Sequence, residues 1–117
     1  MKRWSFKQLN VRKKWIELTC LIYKITKDFP KEEIYWLTSQ MRRAAISIPS
    51  NIAEWNAKSS NKHFQMFIEN AQWSLYELET QILVAEQMNF LIHNDSLFEL
   101  TADIWKMLNW LHSSLTD

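Results

Sequence analysis

The chain contains no glycine, a single cysteine (Cys20) and only two prolines, Pro30 and Pro49. Tight hairpins and sheet corners draw on glycine for positive φ, so its absence argues against a β architecture and for helices joined by a few polar turns. One cysteine excludes an intramolecular disulfide framework, and a reducing cytoplasm is the expected setting. Cys20 lies in an apolar stretch and reads as a small core residue rather than a nucleophile. No run of about 18 apolar residues occurs, so no membrane span is expected. The start, Met1-Lys2-Arg3, lacks the apolar block of a signal peptide. A glycine-rich phosphate loop is impossible, and no paired Cys/His spacing would hold zinc.

What is present is a 117-residue chain with 47% hydrophobic and 23% charged residues, sized for one domain around one core. Its net charge of +1 hides a segregation: residues 1–63 hold 13 Lys/Arg against 5 acids, whereas residues 64–117 hold Lys106 against 8 acids. The two halves are therefore expected to pair across an antiparallel bundle, to bind an anionic partner, or to join subunits.

Four apolar stripes follow helical spacing. Val11, Trp15, Leu18, Ile22, Ile25 and Phe29 form the first, and Asp28-Phe29-Pro30 ends it because a residue before proline leaves the α region. Leu37, Met41, Ala44, Ile48 and Ile52 form the second, opened by the acids of Lys31-Glu32-Glu33. Pro49 falls inside it and predicts a kink rather than a break, with Ser47, Ser50 and Asn51 placed to satisfy freed carbonyls. Ser59-Ser60-Asn61 reads as a turn with the next N-cap. Phe64, Ile68, Ala71, Leu75, Leu78, Ile82 and Ala85 form the third stripe, and Leu97, Leu100, Ile104, Leu108, Leu111 and Leu115 the fourth, with Ser96-Leu97-Phe98-Glu99 as a capping box. The pattern predicts an all-α, up-down-up-down antiparallel four-helix bundle, a basic arm over 1–8, and helices near 9–28, 32–57, 60–88 and 95–115.

Candidate functional residues are basic. Arg42 and Arg43 are adjacent, so on a helix they point about 100° apart. One is expected to meet phosphate and the other to pair with a carboxylate such as Glu77 or Glu79. Lys58, Lys62 and His63 cluster at the second turn. Arg12, Lys13 and Lys14 extend the basic N-terminus of Lys2, Arg3 and Lys7, where Trp4 and Phe6 could stack on bases. Together Arg12, Lys13, Lys14, Arg42, Arg43, Lys58, Lys62 and His63 make the expected nucleic-acid surface. The di-metal carboxylate site of many four-helix bundles needs Glu-x-x-His on two helices, and none occurs, so no metal, cofactor or catalytic residue is expected.

The stretches FPKEE (29–33), LTSQMRRAAISIPSNIAE (37–54), SLYELETQILVA (74–85) and KMLN (106–109) resemble the bacterial four-helix-bundle proteins encoded in intervening sequences of large-subunit ribosomal RNA genes. The accessory variability determinant of diversity-generating retroelements, a basic-surfaced pentamer that works with a reverse transcriptase, shares that fold. The resemblance implies a non-enzymatic, cytoplasmic homo-oligomer, a ring such as a pentamer, that contacts RNA or DNA as an accessory to a nucleic-acid-processing protein. A protein–protein scaffold without nucleic acid is the alternative. Where the resemblance leads one to expect glycine, this chain has Trp36, Trp55, Trp73, Trp105 and Trp110, and where it leads one to expect tryptophan, Arg12. Overpacking a site costs about 1–3 kcal/mol, so five such changes would be hard to accommodate if buried. UGA codons read as glycine in the source organism and rendered as tryptophan would produce the pattern; UGG codons there would rule it out.

Overall fold

The computed structural model describes residues 6–56 and 60–115, and the side chains of 8–47 and 60–115. Among these residues the chain forms four α-helices and no strand: α1 (Phe6–Thr26), α2 (Leu37–Asn56), α3 (Asn61–Gln87) and α4 (Asp95–Ser114), with a 3₁₀ turn over Lys31–Tyr35. In the bundle α1 packs on α2 and α4, and α3 packs on the same two helices. Thus α1 and α3 are diagonal, and the side made by α1 and α2 is opposite the side made by α3 and α4.

The apolar stripes meet on one axis. Val11, Trp15, Leu18, Ile22 and Phe29, Met41 with Ala44 and Ala45, all seven predicted positions of α3, and Leu97, Leu100, Ile104, Leu108 and Leu111 are buried. Each fully buried Leu or Ile contributes about 1.5–3 kcal/mol over its exposed state. Ile25, Leu37 and Leu115 are only partly buried against this core. Ile48 and Ile52 lie outside the described side chains.

Several boundaries differ from the sequence reading. Helix α1 begins at Phe6, so the last residues of the expected basic arm are helical. The second helix begins at Leu37 rather than 32, because Lys31-Glu32-Glu33 is taken up by the 3₁₀ turn. Ser60 caps α3 as expected, its hydroxyl accepting the His63 N–H. At α4 the cap is Asn94, whose side chain accepts the Leu97 N–H, and not Ser96, which lies inside the helix. An Asn94 carbonyl oxygen two residues earlier reaches the same orphan amides, so the capping box is not used.

Helix α2 runs unbroken through Pro49. Proline has no N–H to give the carbonyl four residues back, which is that of Ala45. The donors come from α1: the Trp15 indole Nε1–H at 2.8 Å, and the Thr19 hydroxyl at 3.0 Å, whose one proton is shared with the Trp15 carbonyl at 2.9 Å. Trp15 is fully buried and Thr19 nearly so. Ser47 instead bonds the Ala44 carbonyl at 3.1 Å, while Ser50 and Asn51 lie outside the described side chains. A helix flaw is thereby turned into a polar contact that sets α1 against α2.

Helix α3 ends where glycine would be usual. Asn89 adopts φ 61°, its N–H bonds Glu86 and the Phe90 N–H bonds Ala85, both backbone carbonyls. This is a Schellman turn with asparagine in the left-handed position, the residue best able to replace glycine there. Phe90 then packs its ring 5.8 Å from Phe29 and closes that end of the core.

Candidate nucleic-acid interface

The expected basic residues separate into two groups. The antiparallel order brings the start of α1 and the start of α3 to one end of the bundle. Arg12 and Lys13 are exposed about two turns into α1, and Lys62 and His63 are exposed in the first turn of α3. His63 lays its ring 5.3 Å from Phe67. Lys58 lies outside the described residues, as do Lys2, Arg3 and Trp4; Phe6 and Lys7 lie outside the described side chains. Because α1 and α3 are diagonal, these residues straddle the end of the bundle, on axes about 13 Å apart at ordinary helix packing distances.

Lys14 does not join them. It is half-buried and turned toward α4, with its Nζ 3.8 Å from Asp103. This contact does join the basic and acidic halves, but a half-exposed pair at that distance adds at most a few tenths of a kcal/mol. Lys13, Arg43 and Lys62 have no carboxylate partner among the described residues, so their charge stays available.

Arg42 and Arg43 form the second group, on α2 roughly 20 Å from the end where Lys62 sits. They diverge as adjacent helix residues must. Arg42 does not reach Glu77 or Glu79. Its Nε–H donates to the Thr26 hydroxyl at 2.9 Å, and its guanidinium lies over the Tyr23 ring, 4.9 Å from the centroid. The Thr26 hydroxyl in turn donates to the Ile22 carbonyl at 2.7 Å. Arg42 is therefore committed to α1, while Arg43 is exposed. The sequence reading missed Trp15, Thr19 and Thr26 as the partners of α2. Two threonines seven residues apart, with Thr19 one turn beyond Trp15, were the available signal.

Seven of the 13 acids lie on α3 and α4. Glu69 accepts from His112 Nε2 at 2.8 Å, and beside this pair Gln72 donates to Asn109 at 2.8 Å, so α3 and α4 are tied by two polar contacts. Burial pushes the Glu79 carboxyl up from its ordinary range. At the α3–α4 corner the His93 ring donates from Nε2 to Asp95 at 2.7 Å and from Nδ1 to Glu86 at 2.8 Å, and stacks on Phe98 at 5.2 Å. The hydrogen bonds to Asp95 and then Glu86 raise its pKa above the usual histidine value.

Cys20 is exposed, contrary to the core position expected for it. It sits in a groove of about 450 Å³ between α1 and α4 where Lys14, Lys24, Glu17, Glu99 and Asp103 alternate in charge. Among the described residues no group of three or more His, Cys, Asp or Glu is placed to hold a metal ion. No described helix is long and apolar enough to cross a membrane. Trp36 (71% exposed), Trp73 (67%) and Trp110 (48%) face solvent, and Trp105 is partly buried at the core edge. The overpacking expected of buried tryptophans does not arise at these four, and Trp55 lies outside the described side chains.

These features define an all-helical antiparallel bundle whose charge is divided between its two helix pairs. The model of the 23S rRNA-intervening sequence protein family matches residues 7–110, and the chain belongs to that family. Comparison with curated proteins gives no match.

Proposed function

We propose that the protein is a non-catalytic, self-associating bundle that binds RNA or DNA through the basic end formed by the starts of α1 and α3, as an accessory to a nucleic-acid enzyme or ribonucleoprotein. The observation that carries this reading is the exposure of Lys13 and Lys62 at one end, without carboxylate partners among the described residues. Cations left unneutralised by the fold are what phosphate binding needs, since counterion release supplies the affinity. Within the expected set, Arg12, Lys13, Lys62 and His63 belong to this surface. Lys14 and Arg42 are engaged within the bundle, and Arg43 lies elsewhere.

Fluorescence anisotropy of labelled single-stranded RNA and duplex DNA across a salt series tests it. On a single strand Lys13 and Lys62 account for about −1.4 of the slope of log affinity on log salt. Lys13→Glu with Lys62→Glu should weaken binding at least about tenfold and flatten that slope by about 1.4. Equal binding by that variant, or none by the wild type at low salt, would overturn the reading. The scaffold alternative draws on a separate observation, the apolar side chains exposed on the long sides of the bundle.

A further inference from the structure

At the end of the bundle where α1 begins and α4 finishes, the two helices leave a cavity of about 340 Å³ lined by Asn10 and Val11 of α1 and by Lys106, Met107 and Trp110 of α4. Val11 and Met107 make its floor apolar, the first buried and the second packed against the core. Trp110, 48% exposed, brings an indole to the wall. Asn10 is half-buried and adds an amide that both donates and accepts. The Lys14–Asp103 contact lies a turn further from the end, four residues past Asn10 and three before Lys106, and separates the cavity from the charged groove at Cys20. Lys106 is exposed, and it is the one Lys or Arg among residues 64–117. The single cation of the acidic half therefore stands at this cavity. Lys13, three residues from Asn10, is that residue's neighbour on the surface of α1. Neither Lys13 nor Lys106 has a carboxylate partner among the described residues.

We infer that this cavity takes one unstacked base of a single nucleic-acid strand, with Trp110 stacking on the base, the Asn10 amide meeting its edge, and Lys106 and Lys13 holding the phosphates on either side. The inference rests on the reading that this end binds nucleic acid, and adds what is held there: a base of a single strand rather than the backbone of a duplex. Three properties select this occupant. Ligand sites run from about 300 to 1,000 Å³, and a cavity at the small end holds one ring system and not a folded partner. An aromatic face beside cations is the combination that single-strand sites use, since every base has a face to stack and its backbone carries the charge. An apolar side chain from a partner protein would use the indole and Met107 but leave the amide and both ammonium groups unanswered. A duplex keeps its bases stacked inside, so its phosphates reach Lys13 and Lys106 without anything entering the cavity.

Fluorescence anisotropy on the full chain at low salt tests this with two labelled probes, a short single-stranded DNA and a strand of the same length built of abasic sites. The abasic strand keeps every phosphate and lacks every base. The wild type should bind the base-bearing strand at least about fivefold more tightly. Trp110→Ala should abolish that preference and leave both abasic-strand affinity and its salt dependence unchanged, while Trp110→Phe should restore most of it. Trp110 is half exposed, so both variants keep the core, and circular dichroism checks their helix content. Equal wild-type affinity for the two strands, or a preference that survives Trp110→Ala, would overturn the base pocket and leave the nucleic-acid reading standing. Binding of neither strand would overturn both. A free nucleoside monophosphate that competes as tightly as the strand would overturn the assignment to a strand, because the flanking phosphates would then contribute nothing.

Discussion

Replacing Trp15 by Phe and Thr19 by Val removes both donors to the Ala45 carbonyl, the acceptor that Pro49 leaves without its helical partner. Two terms set the cost. Shrinking a fully buried indole to a phenyl ring leaves a small cavity, on the order of 1–2 kcal/mol. Leaving a buried carbonyl without a partner costs about 1–3 kcal/mol. The double variant should therefore lose about 2–5 kcal/mol, roughly 8–20 °C in melting temperature for a domain of this size. The discriminating step is to repeat the pair in a Pro49→Ala background. Alanine restores an N–H at position 49, which can reach the Ala45 carbonyl in the ordinary helical pattern. The cavity term is unchanged there, but the unpaired-carbonyl term falls, so the same pair should cost about 1–2 kcal/mol less. Urea unfolding followed by far-ultraviolet circular dichroism at fixed protein concentration reads the difference. Costs that agree within about 0.5 kcal/mol in the two backgrounds would refute the claim that α1 satisfies what the proline frees.

Three further outcomes follow from the same contacts. The His93 pKa is raised in the fold, so its contribution is fully present below the unfolded value near 6.5 and is lost as pH rises through the folded value. An NMR titration should place the ring above 6.5, and Asp95→Asn with Glu86→Gln should bring it back down; a titration at or below 6.5 in the wild type would contradict the geometry. Arg42→Ala should destabilise by about 1–2 kcal/mol through loss of the Thr26 bond and the Tyr23 contact, while Arg43→Ala in the isolated bundle stays within about 0.5 kcal/mol. Equal effects in denaturant melts would show that Arg42 is not committed to α1. Asn89→Gly should stabilise by roughly 0.5–1 kcal/mol and Asn89→Val should destabilise, since the position requires positive φ; the reverse order in thermal melts would show that the turn is not as described.

The core was legible because burial imposes a period. Every predicted apolar position of α3 is buried, since a helix of 27 residues contacting two neighbours leaves its stripe little freedom. The chain ends of the helices were less legible. Ser96 fits a capping box as well as Asn94 does by composition, and only the path of the turn decides which side chain meets the orphan amides. Lys31–Tyr35 has helical composition but closes into a 3₁₀ turn. The candidate surface was legible as a set of charges and not as a site. Sequence gives Arg42 and Arg43 equal standing, whereas the fold places one over Tyr23 and leaves the other outside. Nor could spacing show that Lys14 turns to Asp103 while Lys13, its neighbour, faces solvent. Cys20 was misplaced for a related reason: its apolar neighbours Leu18 and Ile22 are core, but position 20 lies on the other side of the same helix.

The measurement that bears most directly on the account is a residue-resolved NMR titration of the labelled protein with single-stranded RNA at low salt. The account predicts shifts concentrated at the starts of α1 and α3, around Lys13, Lys62 and His63, with the acidic sides of α3 and α4 unmoved. Shifts centred on Arg42 and Arg43, or none at RNA concentrations well above those of the protein, would contradict it.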